Sequence, residues 1–289
     1  MANRKILIVN ADDFGLENEV NSAIIKAHRQ GVVTSASLIA NGAAFEDAVE
    51  LARQNASLDV GVHLTLTRGP SLSGGPLLAP VEVPSLVKGD GLFPQNPMTL
   101  TARIMMGLIS FAQVEREFRA QMERIRSAGI RITHIDSHQH IHVVPPVFRI
   151  VARLAREFDV KWLRLPTAHI WPGGGPPVGA LRRLQADLLA WLAARNAGVM
   201  SAAGLRASDH YFGFHLAGRL LEDEIERVVW NLPEGTTELS CHPGADDVRL
   251  ERKHPWGYKW ERELAALCSP RVREGIEKAG VRLTGYSGL

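Results

Sequence analysis

Only two cysteines occur in the 289 residues, Cys241 and Cys268, far apart and without CxxC spacing. Their scarcity argues against a disulfide scaffold and for a reducing compartment. No apolar run is long enough to span a bilayer. The apolar stretch after "MANR" stops at two carboxylates, Asp12 and Asp13, too soon for a secretory leader. It reads as a first β-strand, and the expected location is the cytoplasm. Basic runs are missing too. With a net charge of +2 the composition gives no reason to expect a nucleic-acid partner. Neither GxGxxG nor GxxxxGK[ST] follows the first strand, which removes the usual nucleotide-binding reasons for an open sheet. Repeats, low-complexity tracts and inter-domain linkers are also absent.

What is present is a chain 45% hydrophobic, enough for one large domain with a core. Strand and helix patterns alternate. "KILIVN" (5–10) is a continuous apolar run, as expected of a strand buried on both faces. Residues 17–31 have helical spacing of Val20, Ile24, Ile25 and Ala27, ending at Gly31. Strand 33–41, helix 43–55 and strand 58–67 follow. After a Pro- and Gly-rich loop from Arg68 to about Pro97 come an amphipathic helix (112–129), the strand "RITHIDSH", a helix from Pro145 and the strand "VKWLRLP". Near the end, "TELSCHPG" (237–244) is strand and turn, and a last helix and strand close the sequence. About seven strands alternating with helices predict a parallel α/β fold. The expected form is a single-domain (1–289), distorted or incomplete (β/α) TIM-like barrel, with excursions at about 68–111 and 171–208. An open doubly wound sheet is the second choice.

The polar residues gather at strand ends. Asp12 and Asp13 follow strand one, His63 sits in "GVHLTLT", and His242 sits where "ELSCH" runs out. "THIDSHQHIHVVPP" (133–146) puts four histidines and Asp136 within nine positions. In parallel α/β folds the C-terminal strand ends converge on one face, where sites are built. Each piece alone has a plainer explanation. An Asp pair after a strand often caps the next helix, and a lone His63 is most simply a core histidine. The cluster is harder to dismiss. In an extended segment residues 136, 138 and 140 share one face, and burying them without a partner costs a few kcal/mol per unsatisfied group. A metal removes that cost. His28, His169, His210, His215 and His254 read as surface, cap or packing residues.

One carboxylate and two imidazoles suit a divalent cation with positions open for water and substrate. An aspartate beside it suits a base, and a histidine opposite suits an acid. These parts fit metal-assisted hydrolysis of an amide or ester. They do not fit hydride transfer or phosphoryl transfer from a nucleotide.

"IVNADDFGLENEVNSAI", "GVHLTL", "HIDSHQHIHVVPPVF", "WLRLP" and "SCHPG" resemble the YdjC-like carbohydrate deacetylases, which include the chitooligosaccharide deacetylases. The resemblance runs from residue 5 to about 285. "GVVTSASLIANGAAFEDAVELA" and "VPSLVKGDGLFP" resemble the hopanoid-biosynthesis-associated branch of that family. The resemblance implies a distorted (β/α) barrel, with Asp13, His63 and His138 as metal ligands. It implies Asp12 as general base and His242 as general acid. It selects His138 from the cluster, which spacing alone does not, and leaves His140 as a supporting or substrate-facing residue. Arg164 is expected to hydrogen-bond the acyl or sugar group.

The implied reaction is N-deacetylation of an N-acetylglucosamine-type sugar, helped by one divalent metal ion. Zinc or magnesium is the first expectation, with nickel and cobalt as alternatives. In the hopanoid branch the sugar would be lipid-linked, as in N-acetylglucosaminyl bacteriohopanetetrol. Segments 100–114 and 180–205 are candidate apolar surfaces for such a lipid or for peripheral contact with the inner membrane. An ordinary barrel helix or lid is the plainer reading of 180–205. "WPGGGPPVG" (171–179) reads as a mobile connector. A soluble diacetylchitobiose-type substrate is the nearest alternative. A metal-retaining, non-catalytic carbohydrate-binding protein, a metal phosphoesterase and a homodimeric assembly are the other readings considered.

Overall fold

In the computed structural model, residues 5–67, 75–166 and 179–289 are described. His169 and most of the glycine-rich connector lie outside them. The chain begins with β1 (Lys5–Phe14), α1 (Asn18–Gln30), β2 (Ser35–Leu38), α2 (Phe45–Arg53) and β3 (Asp59–Leu64). Then come α3 (Pro97–Met105), α4 (Phe111–Ser127), β4 (His134–Ser137), α5 (Pro145–Glu157) and β5 (Trp162–Leu163). Helices α6 (Ala180–Arg195) and α7 (Ala197–Ala203) lead to β6 (His210–Phe212), α8 (Glu222–Trp230) and β7 (Gly235–Cys241). The chain finishes with α9 (Asp247–Lys253), α10 (Trp260–Leu267), α11 (Pro270–Lys278) and β8 (Arg282–Leu283).

Seven strands lie side by side, all parallel, in the order β5-β4-β3-β2-β1-β7-β6. That order descends cyclically, so the sheet winds one way round into a curled half-barrel. A doubly wound sheet would reverse direction at its middle, and that alternative falls. A parallel bridge from Trp162 to Arg206 spans the gap between the two edges. Strand β8 pairs with Ile6 and Leu7 of β1.

Period-two alternation decides what faces inward. Leu7, Val9 and Ala11 of β1, Leu38 of β2 and Val62 of β3 belong to the apolar core. Helix α1 buries Val20, Ala23, Ile24 and Ala27 at helical spacing, and α5 buries Val147, Phe148, Val151 and Leu154. The opposite strand faces turn polar toward the C-terminal strand ends. Asn10 donates to Asp12 and Ser37 at 2.9 and 2.8 Å, and Ser37 donates to Asp136 at 2.7 Å. Gly61 in β3 makes room inside: a Cβ there would lie 2.5 Å from the His134 ring.

Several boundaries differ from the sequence reading. β1 runs through both aspartates to Phe14, so Asp12 and Asp13 end the strand instead of following it. Neither caps α1, whose N-cap is Glu17. The histidine segment is extended only to Ser137. Residues 138–143 then turn, with Gln139 and His140 at φ 58° and 55°. The shared face expected for 136, 138 and 140 therefore does not exist.

Glu263 of α10 supports the far end of β7. It is fully buried and accepts from the backbone N–H groups of His242 (2.5 Å) and Leu220 (3.3 Å). Burial pushes its pKa up to about 8, against the opposing pull of those donors. A carboxyl with a raised folded-state pKa stabilises fully below its ordinary value, 4.5, and loses that contribution as pH rises through about 8. Urea unfolding at about pH 5 and pH 9 should show the wild type losing more stability than Glu263→Gln over that interval. Equal losses in the two proteins would contradict this.

Candidate active site

Three strand ends meet at one rim. Asp13 closes β1 with a left-handed backbone (φ 66°), a turn that carries its carboxylate toward β3 and β4. Its Oδ1 lies 3.5 Å from His63 Nε2 and 3.2 Å from His138 Nδ1. Asp13, His63 and His138 each offer a ligand atom within 4.8 Å of the others, and all three are buried. His138 Nε2 is buried without a hydrogen-bond partner among the described residues. Burial raises the Asp13 pKa, but the hydrogen bond from His138 and the nearby imidazoles hold it well below the usual carboxylate range.

Asp12, His63 and Asp136 form a second grouping of the same size. It already contains a cation. Arg164 donates to Asp12 Oδ2 and Oδ1 at 2.8 and 2.7 Å, and lies 2.8 Å from Asp136 Oδ2. The guanidinium compensates those carboxylates, whereas the ion-pair partners of Asp13 among the described residues are imidazoles. Of the two groupings, Asp13, His63 and His138 fits a divalent ion. Asp136 supports this set from behind: His63 Nδ1 donates to its Oδ1 at 2.7 Å, which points Nε2 at Asp13. Burial lowers the His63 pKa, but Asp136 outweighs it and the value rises to about 9.

Asp12 and His242 stand beside this trio, with His242 Nε2 3.8 Å from Asp12 Oδ2. Burial pulls the His242 pKa below its ordinary value, against the carboxylates nearby, which favours a neutral ring at rest. The five residues line one cavity of about 480 Å³, together with His140, Tyr211, Tyr258 and Trp256.

Arg164 does not fit the expectation of a contact with the acyl or sugar group. It is 1% exposed, sits beneath the cavity, and also donates to Glu238 at 2.6 Å. Its reach is inward because Leu163, one position earlier, faces the core. His140 does reach the cavity, against Tyr211 and Phe214 at 5.7 Å each. Burial holds its pKa well below the ordinary value, and Nδ1 has no partner among the described residues. His142 instead ties the turn together, through Ser137 Oγ at 2.5 Å and the Arg164 carbonyl at 2.8 Å. His134 is stacked on Tyr286 at 4.0 Å, below the site. The sequence reading overlooked the structural work of Asp136 and Glu238 and the aromatic pair Trp256 and Tyr258. The pair had a readable signal in "HPWGYKW", an aromatic-rich stretch after the last polar strand end.

A model of the YdjC-like protein family matches residues 6–278. The chain belongs to the YdjC-like family. Among its relatives, a carbohydrate deacetylase of Brevibacillus brevis is 33% identical over 287 residues, covering 98% of this chain and 99% of the relative. A carbohydrate deacetylase of Geobacillus stearothermophilus is 34% identical over 280 residues, covering 96% of each. Among solved structures, an Enterococcus faecalis protein provisionally described as a cellobiose-phosphate cleavage protein superposes with a TM-score of 0.78. It shares 29% identity, covering 99% of this chain and 98% of that one. The curled barrel is thus shared with that Enterococcus faecalis protein over nearly its full length.

Asp136→Asn tests the support of His63. Losing the carboxylate behind a ligating histidine typically weakens metal binding about 10–100-fold. Calorimetric titration of metal-free protein with Zn²⁺ should show that drop, with circular dichroism confirming the fold. An unchanged affinity would remove Asp136 from this role.

Proposed function

We propose that this YdjC-like protein is a carbohydrate N-deacetylase that removes acetyl from an N-acetylglucosamine-type sugar. The observation that carries this reading is the convergence of Asp12, Asp13, His63, His138 and His242 on one cavity. A carbohydrate-binding protein would have use for the cavity but not for Asp12 and His242 side by side. A two-metal phosphoesterase would need a carboxylate-rich pair of sites, and here the second grouping is occupied by Arg164.

Asp13, His63 and His138 would hold the divalent ion. When bound, it supplies Lewis acidity toward a carbonyl oxygen and makes a water acidic enough to lose a proton near neutral pH. Asp12, fixed by the two-pronged Arg164 contact, takes that proton. His242 starts neutral and is 3.8 Å from Asp12. It receives the proton there and delivers it to the nitrogen as the C–N bond breaks. Water adds to the acetyl carbon, so the products are acetate and a free amine. His140, neutral and in the wall of the cavity, is placed to hydrogen-bond the sugar.

The finer reading is a lipid-linked sugar such as N-acetylglucosaminyl bacteriohopanetetrol, met at the inner membrane surface. Leu181, Leu184, Leu188 and Trp191 of α6 are 53–71% exposed, and Met98 and Met105 of α3 are 71% and 83% exposed. Met98 and Leu188 also line the cavity, so this apolar surface begins at its mouth. Segments 97–111 and 180–203 carry four arginines (103, 182, 183, 195) and one aspartate (187), a local charge of +3 beside an anionic leaflet. A soluble diacetylchitobiose-type substrate is the second reading, favoured by the relatives' general naming as carbohydrate deacetylases.

Incubation with diacetylchitobiose, an N-acetylglucosaminyl lipid and a phosphate ester should release acetate and no phosphate. Asp12→Asn should lower acetate release by about 10²–10⁴-fold; full turnover would take Asp12 out of the base role. A higher kcat/KM for the lipid than for diacetylchitobiose is expected, and the gap should shrink in a Leu184→Ser, Leu188→Ser double variant. No preference for the lipid would leave the soluble sugar as substrate.

A further inference from the structure

We propose that the strap between α9 and α10, residues 254–259, is the sugar-binding platform of this cavity, and that Glu17 is the residue that clamps it in place. The proposal rests on reading the cavity as a carbohydrate site.

The strap is an aromatic-rich turn. Trp256 and Tyr258 both line the cavity and are half-buried. The Trp256 ring lies 5.8 Å from the His138 ring and 5.4 Å from Tyr258, while Tyr258 lies 5.2 Å from His242. An aromatic surface thus runs beside both the metal-ligating and the acid side of the site. Aromatic faces carry partial negative charge. The C–H face of a pyranose is apolar and weakly positive, so it stacks on such a surface while its hydroxyls remain free to hydrogen-bond. None of the catalytic steps above uses these rings, so their place in the cavity wall calls for a separate role.

The strap is held by contacts that reach across the molecule. Glu17, at the start of α1, is buried. It accepts from Lys253 Nζ at 2.6 Å and from His254 Nε2 at 3.3 Å. His254 is fully buried and its ring packs on Trp256 at 5.0 Å. Glu17 therefore fixes the ring on which Trp256 rests. The other end of the strap is wedged: Lys259 N–H donates to the Gly218 carbonyl at 2.7 Å. A Cβ at Gly218 would come within 2.1 Å of the Tyr258 ring. Gly218 has φ +70° as well, so a side chain is disfavoured there on two counts. Glu17 lies four positions after Asp13, so one β1–α1 segment positions both the metal ligand and the platform. Glu17 is a positioning residue. Trp256 and Tyr258 are the ones that would touch the sugar.

The test uses full-length protein and diacetylchitobiose. Tryptophan fluorescence is followed during titration in an Asp12→Asn background, and KM and kcat are measured in the otherwise native protein. The expected result is a sugar-dependent fluorescence change that is lost in Trp256→Phe and retained in Trp230→Phe, a change on the outer helix α8. Trp256→Ala should raise KM about tenfold with kcat within a factor of about three. Trp256→Phe keeps an aromatic face and should restore most of the KM. Glu17→Ala should raise KM with kcat retained, and Glu17→Gln, which keeps an acceptor for His254, should recover it. Unchanged KM and fluorescence in Trp256→Ala would overturn the platform, and so would a fall in kcat at constant KM. Unchanged KM in Glu17→Ala would overturn the clamp. If acetate is never released but diacetylchitobiose still changes the Trp256 signal, the deacetylase reading fails and the platform stands.

Discussion

One buried guanidinium organises this protein. Arg164 sits at the centre of the barrel and is shared by Asp12, Asp136 and Glu238. Burying a charge costs roughly several kcal/mol even after relaxation, so such a cluster persists only when every member is well paired. Here the geometry is close to complete. Two of the guanidinium nitrogens take Asp12, one of these also lies against Asp136, and Nε takes Glu238. Burial pushes Glu238 up to about 7, against the pull of Arg164, so the third carboxylate is the least committed to its charge.

Through those contacts the arginine reaches both halves of the site. Asp12 is held facing the cavity and His242. Asp136 is held facing His63, whose other nitrogen then has to point at Asp13. Asp12 cannot rotate without breaking its bonds to Arg164, nor His63 without breaking its bond to Asp136, which Arg164 holds in turn. The arrangement separates two kinds of negative charge only a few ångströms apart: carboxylates compensated by a guanidinium, and one, Asp13, that faces imidazoles. Rigid strands carry all of these residues except His138, Arg164 and His242, each at the first position beyond a strand end. Positions on strands are held more tightly than positions on long loops.

Much of this could be read from the residues. Asp12, Asp13, His63 and His242 were identifiable because parallel strands end on one face, and polar residues at four such ends are hard to explain otherwise; His138 was singled out of its cluster only by the family resemblance. The interior was less legible. Arg164 sits in "WLRLP" beside apolar neighbours, and nothing local says whether it points to the cavity or beneath it. Its role depends on three carboxylates from three other strands. The histidine cluster misled for a related reason. An alternating pattern predicts an extended segment, but left-handed Gln139 and His140 break the strand after Ser137. His134, His138, His140 and His142 consequently have four different surroundings. Trp256 and Tyr258 were missed because they arrive on a connector between helices, outside the strand-end logic.

The first strand of the chain is also its last to be completed. β1 aligns along its length with β7, and Ile6 and Leu7 pair with β8 near the C-terminus. A growing chain emerging from the ribosome can pair β1 with β2 early, but more than two hundred residues separate Asp12 and Asp13 from β7, the strand on their other side. Contacts this distant in sequence slow folding and leave apolar edges exposed meanwhile. The β7 side of the sheet therefore closes late, and His242 can meet Asp12 only after it does.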